Sequence, residues 1–84
     1  MLQIKIYINM RSEEALYKSW WNRINKHVKE HICQAIEKGE IEVTIANDKK
    51  TSTFDEDKIY LKKLGYKVLL SNTVYEEIIT IKWG

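Results

Sequence analysis

Apolar and polar residues alternate with a period of two in four stretches of the chain. These stretches are residues 2–8, 40–45, 66–70 and 74–83. A period of two puts every second side chain on the same side, so each stretch predicts a strand with one buried face. Between them, apolar residues recur at helical spacing over residues 12–38 and 54–64, which predicts two helices.

The first predicted helix has a start signal, a stop signal and a continuous apolar face. Ser12 is a favourable N-cap, acidic residues follow it in the first turn, and Gly39 suits a left-handed stop after Lys38. A helix of about 27 residues is about 40 Å long, which is long for a domain of this size. Its apolar face comprises Tyr17, Trp20, Trp21, Ile24, Val28, His31, Ile32 and Ala35.

The second predicted helix is bounded in the same way. Thr53 with Glu56 three residues later matches a capping box, and Gly65 predicts the end of the helix. Tyr66 follows the glycine, where a hydrophobic side chain can fold back on Leu61.

The order of predicted elements is β-α-β-α-β-β. Strands with one polar face favour both helices on the same side of the sheet. The sequence therefore predicts an α+β two-layer sandwich, with a four-stranded mixed sheet and two helices packed on one face. Glu77 falls on the apolar face of the last strand, which predicts a bulge or an edge position near it.

Composition limits the classes of function. The 84 residues make one domain, 1–84, and the single cysteine, Cys33, excludes an internal disulfide. A net charge of +2 is too small to imply nucleic acid or an anionic membrane by itself. The chain has neither an apolar run long enough to cross a bilayer nor a signal-peptide pattern, so we expect no membrane partner and a cytoplasmic location.

The chain contains one motif that resembles a metal site. His27 to His31 reads H-x-x-E-H, in which two histidines one helical turn apart could bind zinc. A zinc enzyme needs a third protein ligand and a cleft, and the chain has no other histidine. Cys33 has no histidine on its own side of the helix to activate it. A glycine-rich phosphate loop is also missing from the sequence. We therefore expect no enzyme activity, no catalytic residue, no metal and no cofactor.

Three aromatic residues in the first helix are the strongest binding candidates. Tyr17, Trp20 and Trp21 lie close together on a helix longer than the sheet needs, so part of the cluster can overhang the core. Exposed aromatics are the side chains that interfaces use as anchors. One alternative is that both indoles fill the core of a small domain, and another is that one indole lies in the core and the other at the surface.

A modest basic face lies on the same helix and comprises Lys18, Arg23, Lys26 and Lys29. With the tryptophans nearby, it could bind nucleic acid through phosphate contacts and base stacking. Acidic residues such as Glu30 and Glu37 dilute this face, so a solvated helix surface is the better interpretation.

Three short motifs follow one another along the chain. They are Ala35-Ile36-Glu37-Lys38-Gly39, then Leu64-Gly65-Tyr66, and finally Ile79-Thr80-Ile81-Lys82-Trp83. This series resembles small uncharacterised proteins of tailed bacteriophages, over about residues 28–83. The predicted N-terminal strand and the Trp20–Trp21 pair depart from that pattern. The resemblance implies a phage or prophage origin, and hence the host cytoplasm or a virion, and it carries no catalytic residue.

These observations together predict a small non-enzymatic interaction module of phage type. It would join a particle or inhibit a host or defence protein, and it would also self-associate through the aromatic helix or a sheet edge. The alternative is a small nucleic-acid-binding regulator that uses the basic face.

Overall fold

The computed structural model describes residues 12–83. The helices are α1 (Ser12–Arg23), α2 (Lys26–Glu37) and α3 (Phe54–Lys63). The strands are β1 (Glu42–Asp48), β2 (Lys67–Asn72) and β3 (Glu76–Lys82), and the chain order is α1-α2-β1-α3-β2-β3. The strand predicted at residues 2–8 lies outside the described residues.

The fold is α+β, but the predicted four-stranded mixed sheet of β-α-β-α-β-β order is wrong. The sheet of the described residues has three strands in the order β1-β3-β2, and both pairings are antiparallel. The last strand lies between the other two, so β1 and β2 run in the same direction without touching. Ile79 and Ile81 on the inner face of β3 are buried, and the central position gives the strand a hydrogen-bonded neighbour on each side.

The register also corrects the expectation at Glu77. Pairing runs without interruption from Glu42 opposite Lys82 to Asp48 opposite Glu76. Glu77 is half-buried in the central strand and pairs on both sides. The bulge or edge predicted there is therefore wrong.

The single helix predicted over residues 12–38 is also wrong, because the structure has two helices there, α1 and α2. Asn25 has φ −55° and ψ 137°, and its side chain accepts a hydrogen bond from the His27 N–H, so it begins α2 as an N-cap. The Asn25 N–H donates to Oδ1 of Asp57 at 3.0 Å. This N–H donates to a side chain of α3 instead of to a carbonyl of the preceding turn. The first helix therefore ends at Arg23, and a second helix begins after Asn25.

The three helices pack against different parts of the molecule. α2 lies on β1, α3 lies on β2 and β3, and α1 packs against α3. The expectation of two helices on the sheet thus becomes two sheet-packed helices and a third that packs against one of them, α3. The core comprises Ile24, Val28, Ile32, Ile45, Phe54, Leu61, Val68, Ile79 and Ile81.

Both predicted glycine stops are confirmed. Gly39 and Gly65 have φ of 77° and 99°, a region that only glycine enters easily. At Gly65 the Tyr66 N–H donates to the Leu61 carbonyl at 3.0 Å, which is the long bond of a Schellman motif. The predicted capping box is wrong, because Thr53 makes no side-chain cap bond and donates its hydroxyl to Asp57 Oδ2 at 2.7 Å.

Candidate functional site: an aromatic and basic surface on α1 and α3

The structure separates the three aromatic residues of α1. Trp21 is half-buried and packs against the core. Trp20 is half-buried but lies outside the core cluster, and Tyr17 is 49% exposed. The Tyr17 and Trp20 rings are 5.5 Å apart between centroids and tilted by 52°, so they form one aromatic pair. One indole therefore belongs to the core and the other is available at the surface.

Helix α3 brings two further residues to this pair. Trp20 lies beside Lys63, Arg23 beside Tyr60, and Asn25 beside Asp57, so α1 and α3 run antiparallel. Arg23 follows Trp20 by three residues and Lys63 follows Tyr60 by three, which is close to one helical turn in each case. The four side chains therefore meet in register. We call Tyr17, Trp20, Arg23, Tyr60 and Lys63 the α1–α3 patch.

Both cations of the α1–α3 patch are held by aromatic rings. The Lys63 Nζ is 5.6 Å from the centroid of the Trp20 ring and 5.8 Å from that of Tyr60. The Arg23 guanidinium carbon is 5.8 Å from the Tyr60 centroid, and its Nη1 donates to the Tyr60 hydroxyl at 3.3 Å. Each such contact is worth about 0.5–1 kcal/mol at an exposed site, enough to orient a side chain.

In the part of the chain whose side chains the structure describes, residues 15–83, neither cation of the patch is paired with an acid. The ion pair described among them, Lys82 with Glu42, lies on the sheet. Two positive charges thus converge on one tyrosine ring beside a half-buried tryptophan. This arrangement suits an anionic group that approaches together with an apolar one.

The predicted basic face does not form one strip. Lys29 turns towards Trp21, with its Nζ 5.8 Å from the ring centroid, and Lys26 is exposed at the start of α2. Lys18 lines a shallow depression of about 470 Å³ on α1, together with Ala15, Ser19, Asn22 and Arg23. The residues that do converge on Arg23 are Tyr60 and Lys63, which sequence reasoning missed. Their spacing in α3 is visible in the sequence, but the antiparallel packing of α1 on α3 is not.

The histidine motif forms a pair without further ligands. The His27 and His31 rings are 4.4 Å apart between centroids, as expected for residues one helical turn apart. In the described part of the chain, no group of three histidine, cysteine, aspartate or glutamate side chains could hold a metal ion. Cys33 is exposed on α2.

No helix in the described range is both long and apolar enough to cross a bilayer.

The comparisons with known proteins assign the chain to no family. No family model matches the chain, and the comparisons with characterised proteins and with solved structures also found no match.

Proposed function

We propose that the protein is a small non-enzymatic protein-binding module, and that its α1–α3 patch docks on an acidic surface of a partner. The observation that carries the proposal is the convergence of Arg23 and Lys63 on Tyr60 beside Trp20, with no ion-paired carboxylate among the described side chains. Tryptophan, tyrosine and arginine are the residues that most often anchor interfaces. The resemblance to tailed-phage proteins makes a host, defence or virion protein the partner that we propose.

The chemistry of the α1–α3 patch favours a foreign partner over a second copy of the chain. A two-fold interface centred on the patch would bring Arg23 and Lys63 against their own copies. Like charges placed together across an interface cost several kcal/mol. An acidic protein surface instead supplies the counter-charges, while Tyr17 and Trp20 provide apolar area.

The experiment starts by isolating the partner from a host lysate and purifying it. Trp20→Ala and Arg23→Glu are then titrated against it by calorimetry, with circular dichroism to confirm the fold. The matched control is Lys49→Glu, which reverses an exposed charge in the loop after β1. We expect each patch variant to lose at least about tenfold in affinity, since anchor residues are worth about 2 kcal/mol or more. The proposal fails if both variants bind as tightly as the control.

A nucleic-acid-binding regulator is the second candidate, and the same two cations favour it. Arg23 and Lys63 could contact phosphates while the edge of Trp20 meets a base. The arguments against it are the net charge of +2 and the narrowness of the patch. This candidate predicts binding of single-stranded oligonucleotides that weakens steeply with added salt and is lost in Arg23→Glu. No binding at low salt would eliminate it.

A further inference from the structure

The sheet has a second face that the helices do not cover. Because paired residues of an antiparallel sheet point to the same side, the register defines this surface row by row. Its residues are Glu42, Thr44, Ala46, Asp48, Lys67, Leu69, Ser71, Glu76, Ile78, Thr80 and Lys82. We call it the open face. Leu69, on the edge strand β2, is 68% exposed. Within residues 12–83, α2 and α3 pack on the other side of the sheet, and α1 packs against α3.

Charge is distributed unevenly along the open face. The row at one end holds Lys67 and Lys82 with Glu42, so it is net positive. The row at the other end holds Asp48 opposite Glu76 and is negative. The two rows between them carry no charge, and they comprise Thr44, Thr80 and Leu69, then Ala46, Ile78 and Ser71.

We propose that a second copy of this chain covers the open face, related by a two-fold axis that runs across the strands at the level of Ile79. This rotation places each strand of one copy over the same strand of the other copy, and the two strands run in opposite directions. The basic row of one copy therefore lies over the acidic row of the other. Lys82 then faces Glu76 of the second copy, and the same contact occurs twice because the interface is isologous.

In the two uncharged rows, the same rotation places large side chains over small ones. Leu69 lies over Ser71 of the second copy, and Ile78 lies over Thr80, so a large side chain meets a small one in each case. A hollow of about 200 Å³ between β2 and β3, lined by Lys67, Val68, Leu69, Thr80 and Lys82, gives room for interdigitation. Face-to-face sheets in sandwiches pack in this way, at about 10 Å and about −30°.

The rotation also has an unfavourable contact, which limits the affinity. Glu42 lies over Asp48 of the second copy, although Glu42 is already paired with Lys82 at 3.4 Å. Three short strands bury less than the roughly 800 Å² per partner of a standard interface. We therefore expect a reversible dimer with a micromolar dissociation constant.

The test uses charge reversal on β3. Lys82→Glu gives an open face with glutamate at both ends of the strand, and Glu76→Lys gives one with lysine at both ends. Each variant alone should dimerise at least about tenfold more weakly than the natural chain, because both copies of the contact become repulsive. An equimolar mixture of the two should form a heterodimer, because both contacts are then between opposite charges. Sedimentation equilibrium of the natural chain, each variant and the mixture measures these outcomes.

Three results would overturn the proposal. The natural chain stays monomeric up to millimolar concentration, or the variants dimerise as well as the natural chain, or the mixture fails to associate. Leu69→Asp provides a further check, since it should abolish the dimer while the monomer keeps its unfolding free energy. A monomer destabilised by Leu69→Asp would mean that the chain itself already covers the face. The α1–α3 patch lies on the helical side, so variants there leave this dimer unchanged, and either proposal can fail alone.

Discussion

Asp57 connects α3 to the break between α1 and α2, and replacing it with alanine should be among the most damaging single changes. Its side chain is 1% exposed. Oδ1 accepts the Asn25 N–H at 3.0 Å, and Oδ2 accepts the Thr53 hydroxyl at 2.7 Å. The carboxylate therefore fixes the start of α2 and the start of α3 at the same time.

The magnitude follows from these two hydrogen bonds. Hydrogen bonds to a charged group contribute about 1.5–3 kcal/mol each, and an unpaired buried N–H costs about 1–3 kcal/mol. Removing a buried carboxylate also removes its desolvation penalty, which offsets part of the loss. We expect Asp57→Ala to lower the unfolding free energy by about 2–4 kcal/mol. A domain of this size has a total of only about 4–13 kcal/mol.

Urea unfolding followed by tryptophan fluorescence measures this change. With a slope of about 1–2 kcal/mol per molar urea, the midpoint should fall by roughly 2 M. Asp55→Ala is the matched control, because Asp55 lies in the same first turn of α3 but is exposed. It shares the effect of the helix dipole and lacks the two buried bonds, so its loss should stay below about 1 kcal/mol.

The isosteric variant separates the hydrogen bonds from the volume of the side chain. In Asp57→Asn the amide oxygen can still accept the Asn25 N–H, and the amide nitrogen can donate to the Thr53 hydroxyl oxygen, so about 1 kcal/mol should be lost. If Asp57→Ala and Asp55→Ala unfold at the same urea concentration, Asp57 does not hold the helix break and our account of it is incorrect.

Three other changes have defined outcomes. Ile32→Ala should cost about 2–5 kcal/mol because Ile32 is fully buried, whereas Ile36→Ala on the exposed side of α2 should change urea stability by less than about 0.5 kcal/mol. Gly65→Ala should cost about 1–2 kcal/mol in thermal unfolding through backbone strain alone, since no atom lies within 4 Å of the added methyl group. Burial, and secondarily the charge of Cys33, raises the pKa of Tyr66 above the usual value of about 10. The unfolded chain therefore loses this proton first, and stability should fall as pH rises above about 10; Tyr66→Phe should weaken that fall in alkaline unfolding curves.

Local signals predicted the local structure well. The stops at Gly39 and Gly65 depend on backbone conformations that glycine alone enters easily, so a short window of sequence contains the information. The alternation in the last third likewise predicted β2 and β3, with Val68, Ile79 and Ile81 on the buried face. These elements depend on side chains a few positions apart.

The errors arose where a partner distant in sequence decides the outcome. Asn25 follows a strong helical pattern, and the chain breaks there because its N–H bonds Asp57, 32 residues later. Thr53 matches a capping box but donates to the same carboxylate. The place of β3 between β1 and β2 depends on pairing across the whole sheet. Tyr60 and Lys63 of the α1–α3 patch were missed for the same reason, because Arg23 and Tyr60 are 37 residues apart.

The central position of β3 has a consequence for synthesis on the ribosome. β1 and β2 pair only with β3 in the described sheet, so neither has a hydrogen-bonded neighbour until residues 76–82 have been made. The nascent chain would hold helices and two separate extended segments until then. The sheet should form in one late step, in which the pairs of β1 with β3 are separated by 28 residues (Asp48 and Glu76) to 40 residues (Glu42 and Lys82). Until that step, the apolar sides of both segments stay accessible to chaperones.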